Sequence, residues 1–270
     1  MSKSQKPQTK NRFVFLSGYS RSIGANSNSP QKAIVLTSNV NIKKRLHGIV
    51  LRYKPGLEDV GFTLESKSIK NLIKGYLPLS LIGSPYGTPG FHCFPLLGKK
   101  PMFGGTETIE IKLQTQNTAI VEKDVSVSLI IEEVIEDDPE QATKKPYYLL
   151  AGSTDSVLAN KSLQSAITLA NAFDSDIRIN GWILRYKQGL DNVMLNFVSS
   201  SIQRTGGIIE GEMSLAVAGS TFDSPAYNIF PIPGKKPILG LSDNLQIQVS
   251  TGSTPITPRD FGIVFIVEEV

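Results

Sequence analysis

Gly48-Ile49-Val50-Leu51-Arg52-Tyr53-Lys54-Pro55-Gly56-Leu57 returns 133 residues later as Gly181-Trp182-Ile183-Leu184-Arg185-Tyr186-Lys187-Gln188-Gly189-Leu190. Other pairs follow in the same order. Phe15-Leu16-Ser17-Gly18 matches Leu149-Leu150-Ala151-Gly152, and Gly98-Lys99-Lys100-Pro101 matches Gly234-Lys235-Lys236-Pro237. Ile130-Ile131-Glu132-Glu133-Val134 closes the first half as Ile266-Val267-Glu268-Glu269-Val270 closes the chain. A period this long exceeds the roughly 20–50 residues of a solenoid repeat, so the chain reads as one domain duplicated. The stretch 135–146 matches nothing, is charged and Pro-bearing, and reads as a linker. The expected organisation is a basic arm at 1–12, a first unit at 13–134, the linker at 135–146 and a second unit at 147–270.

Within each unit the apolar residues alternate over short runs, as they do in strands with one buried face. Ile49, Leu51 and Tyr53 fall on one face, and Val50, Arg52 and Lys54 on the other. Ile109, Ile111 and Leu113 alternate with polar residues, as do Leu245, Ile247 and Val249, and Val125, Val127 and Leu129 alternate with Ser126 and Ser128. Candidate strands in the first unit are 13–17, 32–40, 47–54, 60–65, 77–82, 91–97, 107–115 and 125–134. Eight strands suit a jelly roll, in which two Greek keys form facing sheets. An immunoglobulin-like sandwich is the nearest rival on strand number, without a Cys pair to support it. The fold class is therefore all-β: two tandem jelly-roll β-sandwiches, a double jelly roll, with a short helix in the first. That helix is expected over 66–76, where Ile69, Leu72, Ile73 and Tyr76 stand at helical spacing behind a Ser N-cap. The matching stretch 199–212 contains Gly206-Gly207, so its helix is expected to be short or absent.

The 270 residues carry 28 Lys+Arg against 24 Asp+Glu, a net charge of +4. The first twelve hold Lys3, Lys6, Lys10 and Arg12 and no acid, so the 24 basic residues that remain balance the 24 acidic ones. The excess belongs to the arm and not to a face of the body. No apolar run reaches the roughly 20 residues of a membrane helix, and the N-terminus has no signal-peptide core.

The residues suggest no chemistry. Cys93 is the only cysteine, which excludes an internal disulfide and argues against cysteine zinc sites. His47 aligns with Asn180, His92 with Asn228 and Cys93 with Ile229, so a function common to both units uses none of the three. Gly104-Gly105 and Gly206-Gly207 lack the Lys-Ser/Thr of a phosphate loop and read as turns. Glu132-Glu133 and Glu268-Glu269 point to opposite faces, unlike the paired carboxylates of a glycosidase. No catalytic residue, metal ligand, cofactor or small-molecule substrate is expected. What both units share is Leu-Arg-Tyr-Lys-x-Gly-Leu and Phe-Pro-x-x-Gly-Lys-Lys-Pro. The second places Lys99, Lys100, Lys235 and Lys236 on equivalent corners, where they are candidates to meet acids of a neighbouring subunit.

With its tandem jelly rolls and without catalytic apparatus, the chain resembles the double-jelly-roll major capsid proteins of tailless icosahedral viruses with an internal membrane. The likeness is nearest to the corticovirus kind. It is carried by the strand Gly48 to Lys54 with its Gly turn, the strand of Val60, Phe62 and Leu64, the 66–76 segment and the closing strand Gly262 to Glu268. The resemblance implies a virion protein, made in the host cytoplasm, that forms pseudo-hexagonal homotrimers tiling a shell. Its implied partners are itself, penton or minor capsid proteins, and an internal membrane or genome reached through Lys3, Lys6, Lys10 and Arg12. The alternative reading is a tandem β-sandwich carbohydrate-binding or adhesive surface protein.

Overall fold

The alternating strands bury their apolar faces against each other in two sandwiches. A computed structural model describes residues 12–27, 29–38, 40–88, 93–135, 139–204, 208, 211–224, 229–232 and 234–270. The first half runs β1 (Arg12–Tyr19), β2 (Gln31–Thr37), β3 (Lys44–Tyr53), β4 (Gly61–Glu65), β5 (Ile73–Gly75), α1 (Leu79–Ile82), β6 (Ser84–Pro85), β7 (Cys93–Pro95), β8 (Met102–Phe103), β9 (Thr108–Gln114) and β10 (Val125–Glu133). A short helix, α2 (Pro139–Thr143), follows. The second half repeats the plan with β11 (Tyr148–Ser153), β12 (Gln164–Ala170), β13 (Ile177–Tyr186), β14 (Met194–Val198), α3 (Ser200–Arg204), β15 (Met213–Ser214), α4 (Leu215–Ala218), β16 (Ser220–Thr221), β17 (Phe230–Pro231), β18 (Ile238–Leu239), β19 (Asn244–Ser250) and β20 (Phe261–Glu269).

One sheet of the first half has the order β1-β10-β3, with β6, β7 and β8 on the far side of β3, and the facing sheet is β2-β9-β4. The second half gives β11-β20-β13, with β16, β17 and β18 beyond β13, facing β12-β19-β14-β15. Successive strands cross between the facing sheets, which is the jelly-roll order, so the chain is a double jelly roll. Even the irregularities are duplicated. The register between β3 and β10 jumps from Gly48↔Ile130 to Leu46↔Ile131, and that between β13 and β20 from Gly181↔Ile266 to Ile179↔Val267. His47 and Asn180 are the extra residues of these two bulges.

Ile49, Leu51 and Tyr53 are buried in the first core beside Ile109, Ile111 and Leu113. Trp182, Leu184 and Tyr186 take the same places in the second. There Trp182 stacks on Phe230 at 4.3 Å and donates its indole N–H to the Ala218 carbonyl at 3.1 Å, tying α4 to the core.

Two expectations are corrected. No helix covers 66–76: within it lie a bend that buries Ile69 and Leu72 and then β5, which pairs in parallel with Leu149–Ala151 of β11. Helical hydrogen bonding lost to this pairing with the other half, and Gly75 takes φ +83° where its backbone meets Ala151. The short helix of the first half lies instead at α1, inside the stretch 77–82 expected to be a strand. The Leu79 and Ser80 N–H groups bond back to Val60 and Glu58, and the chain then turns through one helical turn after Pro78. The matching stretch of the second half does hold a short helix, α3, with the Ser199 hydroxyl accepting from the Ile202 N–H at 3.1 Å.

The halves meet through this corner. Leu149, Ala151, Ile183, Val264 and Ile266 of the second half are buried in the hydrophobic cluster of the first. They form the outer face of β11-β20-β13, and α1 lies against it, with Leu81 so close to Gly262 that an added Cβ would stand 3.0 Å from it. Leu81→Ala is expected to cost about 2–5 kcal/mol in urea unfolding, because it opens a cavity at a fully buried position. Val217→Ala, at the same place on α4 but exposed, is expected to change stability by no more than about 0.5 kcal/mol.

Candidate functional site

Arg185 is wholly buried. Its Nη1 donates to the carbonyls of Ser80 at 2.7 Å and Gly83 at 2.8 Å, at the two ends of α1. Its Nη2 donates to the carbonyls of Thr221 at 3.2 Å, Ser224 at 3.1 Å and Phe222, in the β16 corner. Carbonyl oxygens satisfy the donors of a buried guanidinium, and the fork of Nη1 and Nη2 reaches both halves at once. Arg52, at the same register on β3, is half-buried and donates through Nη2 to Pro85 at 3.0 Å and Thr88 at 3.1 Å in its own corner. Beside this contact Arg259 pairs with Asp59 at 2.9 Å and lies 5.4 Å from the Tyr76 ring centre.

The lysines of the Gly-Lys-Lys-Pro turns stand in unlike surroundings. Lys99 is exposed, with its N–H bonded to the Lys145 carbonyl at 2.8 Å. Lys100 is half-buried, and burial followed by the neighbouring Lys144 charge lowers its pKa. Both line a groove of about 310 Å³ between the halves, beside Lys70, Tyr147 and Tyr148. In the second half Lys235 is exposed and Lys236 half-buried, with no counterpart of the 144–147 segment crossing them among the described residues. Of the arm, Arg12 begins β1 and lies 4.0 Å from Glu133, and Lys3, Lys6 and Lys10 lie outside the described residues. His92 also lies outside them, and the exposed Cys93 thiol is pushed up by partial burial, against a smaller opposing effect of Lys100.

The carboxylates at the strand ends are held by ion pairs. Glu132 accepts from Arg45 at 2.7 Å and stands 2.8 Å from His47 Nε2, and Glu268 accepts from Arg178 at 2.5 Å in the same place of the second half. No group of three or more His, Cys, Asp or Glu able to hold a metal occurs among the described residues. A second duplicated feature escaped the sequence reading altogether. Glu107 accepts from the Ser68 hydroxyl at 2.7 Å and the Gly104 N–H at 2.9 Å. Asp243, its equivalent, accepts from the Ser200 hydroxyl and the Ser201 N–H, both at 2.8 Å. Burial raises the Glu107 pKa, but hydrogen bonds from Ser66, Gly104 and Ser68 outweigh it and hold the carboxyl at about 2. Asp243 is held well below the ordinary range, first by the Ser201 hydroxyl. Each acid pins the segment that precedes the corner of its half. The signal was an acid 41 or 44 residues beyond a Ser-x-Ser run, a separation that no local pattern marks.

The contact between the halves was also missed, although a trace of it was legible. Where β10 reads Ser126 and Ser128 on its outer face, β20 reads Gly262 and Val264, and the β20 run is apolar on both faces.

No protein-family model matches the chain, and no curated protein matches it. Among solved structures, the crystal structure of the STIV MCP is similar at 12% sequence identity and a TM-score of 0.44, covering 94% of this chain and 96% of that one. The double jelly roll is defined by the chain's own strand order.

The Glu107 knot makes stability depend on acid. Its folded pKa lies below the ordinary 4.5, so its contribution is fully present above about pH 4.5 and is lost as pH falls toward 2. Glu107→Gln is therefore expected to melt below the wild type at pH 7, with the gap in Tm narrowing between pH 4.5 and 2. A gap that stays constant over that range would count against the knot.

Proposed function

We propose that the chain is a capsid subunit, the major capsid protein of a tailless icosahedral virus, that assembles as pseudo-hexagonal homotrimers. The observation that carries this reading is the side-by-side fusion of two like jelly rolls by a buried contact. Three such chains supply six similar sandwiches, enough to tile a shell with closed symmetry. Lys99, Lys100, Lys235 and Lys236 are proposed to meet acids of neighbouring copies, with penton or minor capsid proteins completing the shell. The arm, through Lys3, Lys6, Lys10 and Arg12, is proposed to face the enclosed membrane or genome. Each such residue contributes about 1 kcal/mol near an anionic membrane surface.

Light scattering after gel filtration tests the assembly: a particle of three times 29.4 kDa is expected. A monomer that binds glycans in an array would replace this reading with that of a carbohydrate-binding surface protein. Removing residues 1–11 is expected to leave the particle size unchanged and to abolish salt-sensitive sedimentation with anionic vesicles or nucleic acid. Unchanged binding to both would remove the arm from this role.

A further inference from the structure

The segment after α2 builds a place that the duplication does not repeat. It crosses the Gly-Lys-Lys-Pro turn of the first half, where Gly98 and Lys99 bridge to Pro146 and the Lys99 N–H donates to the Lys145 carbonyl at 2.8 Å. The approach is close enough to require the glycine. Gly98 takes φ +67°, and an added Cβ would stand 2.7 Å from the Lys145 carbonyl oxygen. Gly234 holds nearly the same φ, +68°, yet an added Cβ there would meet nothing within 4 Å among the described residues. The turn is duplicated and its cover is not.

Between this turn, its cover and the bend that precedes β5 lies the groove of about 310 Å³, walled in part by the half-buried Tyr147 and Tyr148. Lys70 reaches it from the bend, Lys99 and Lys100 from the turn, and no carboxylate lines it. The acids around it are committed to other partners: Glu107 to Ser68, Glu140 to Lys144 at 2.7 Å and Glu268 to Arg178 at 2.5 Å. Lys144 and Lys145 line an adjoining groove that shares Lys100 and Tyr147 with the first, which adds to the positive charge of the place. Burial and the Lys144 charge lower the pKa of Lys100, the mark of a cation set among like charges without an acid to neutralise it.

We propose that this groove binds a small organic phosphate, with its phosphate oxygens held by Lys70, Lys99 and Lys100 and its organic part against Tyr147 and Tyr148. The inference goes beyond the capsid reading and does not rest on it. Apolar walls with charge of one sign focus the field inside a cleft, so a ligand of opposite sign is drawn there. Ammonium groups are compact point charges that form charge-assisted bonds to phosphate oxygens, and three of them from two segments suit a ligand with several charges. The volume is that of a site for one small molecule and leaves no room for a polymer. A ligand seated here touches the bend, the turn and the crossing segment together, so binding it stabilises the fold.

The test is calorimetric titration of the full chain with ATP as the probe. One ATP is expected to bind per chain and to raise Tm. Lys70→Glu and Lys99→Glu change exposed residues on different segments, so each is expected to leave the Tm of the free protein unchanged and to raise the Kd for ATP about tenfold. Lys161→Glu makes the same charge change at an exposed position of the second half and is expected to alter the Kd by no more than about twofold. Inorganic triphosphate, which lacks an organic part, is expected to bind more weakly than ATP. No heat of ATP binding at about millimolar concentration, or equal weakening in all three variants, overturns the site. Equal affinity for triphosphate and ATP overturns the part given to the tyrosines. Binding of phosphoinositide vesicles that depends on Lys70 and Lys99, without binding of ATP, overturns the assignment to a soluble molecule.

Discussion

The outer face of the β11-β20-β13 sheet is buried because the other half of the same chain sits on it. This contact makes one body of two jelly rolls, and much of what distinguishes the halves follows from it. Val264 and Ile266 are apolar where a free sheet would alternate, Gly262 leaves room for Leu81, and β5 forms as a strand because β11 offers it an edge. Burying an apolar face of this kind contributes about 25 cal/mol per Å² removed from water. The buried Arg185 adds direction, since its carbonyl partners exist only when α1 and the β16 corner are both in place.

A duplicated chain that makes an unlike-surface contact inside itself is left with one unused copy of each partner surface. The two unused surfaces are the aromatic edge strand β1 with its sheet face, and the α4 corner. The internal contact is apolar at its centre, with Arg185 and the Arg259–Asp59 pair beside it, and the exposed version carries serines between its aromatic residues. The acid knots of Glu107 and Asp243 belong to the same scheme, since each fixes the segment leading into a corner and so sets where α1 or α4 is presented.

Much of the sandwich was legible in the residues. The parity of Ile49, Leu51 and Tyr53 matches their burial in the first core. Alternation reports one buried face directly, so the strands 47–54, 107–115 and 125–134 were read close to their observed limits. The 66–76 helix was misread because Ile69, Leu72, Ile73 and Tyr76 satisfy helical spacing without being helical. Their burial is real for Ile69 and Leu72, but the backbone of 73–75 is claimed by β11, about 75 residues away in the chain. Local periodicity records which side chains avoid water and is silent on which distant strand takes the backbone hydrogen bonds.

The amino-acid sequence by itself determined the duplication, the all-β sandwich class and the confinement of excess positive charge to the first twelve residues. Repeated motifs, period-two alternation and charge placement are written along the chain and need no contacts to be seen. Only the tertiary structure decided that α1 closes on the second sheet, that Arg185 bridges the halves, and that β1 and α4 are left open. Those outcomes depend on which of several similar apolar faces meet, and two halves with nearly the same pattern offer the same faces twice. The choice is made by side-chain fit and backbone pairing between residues far apart, such as Leu81 with Gly262 and Ile73 with Leu149.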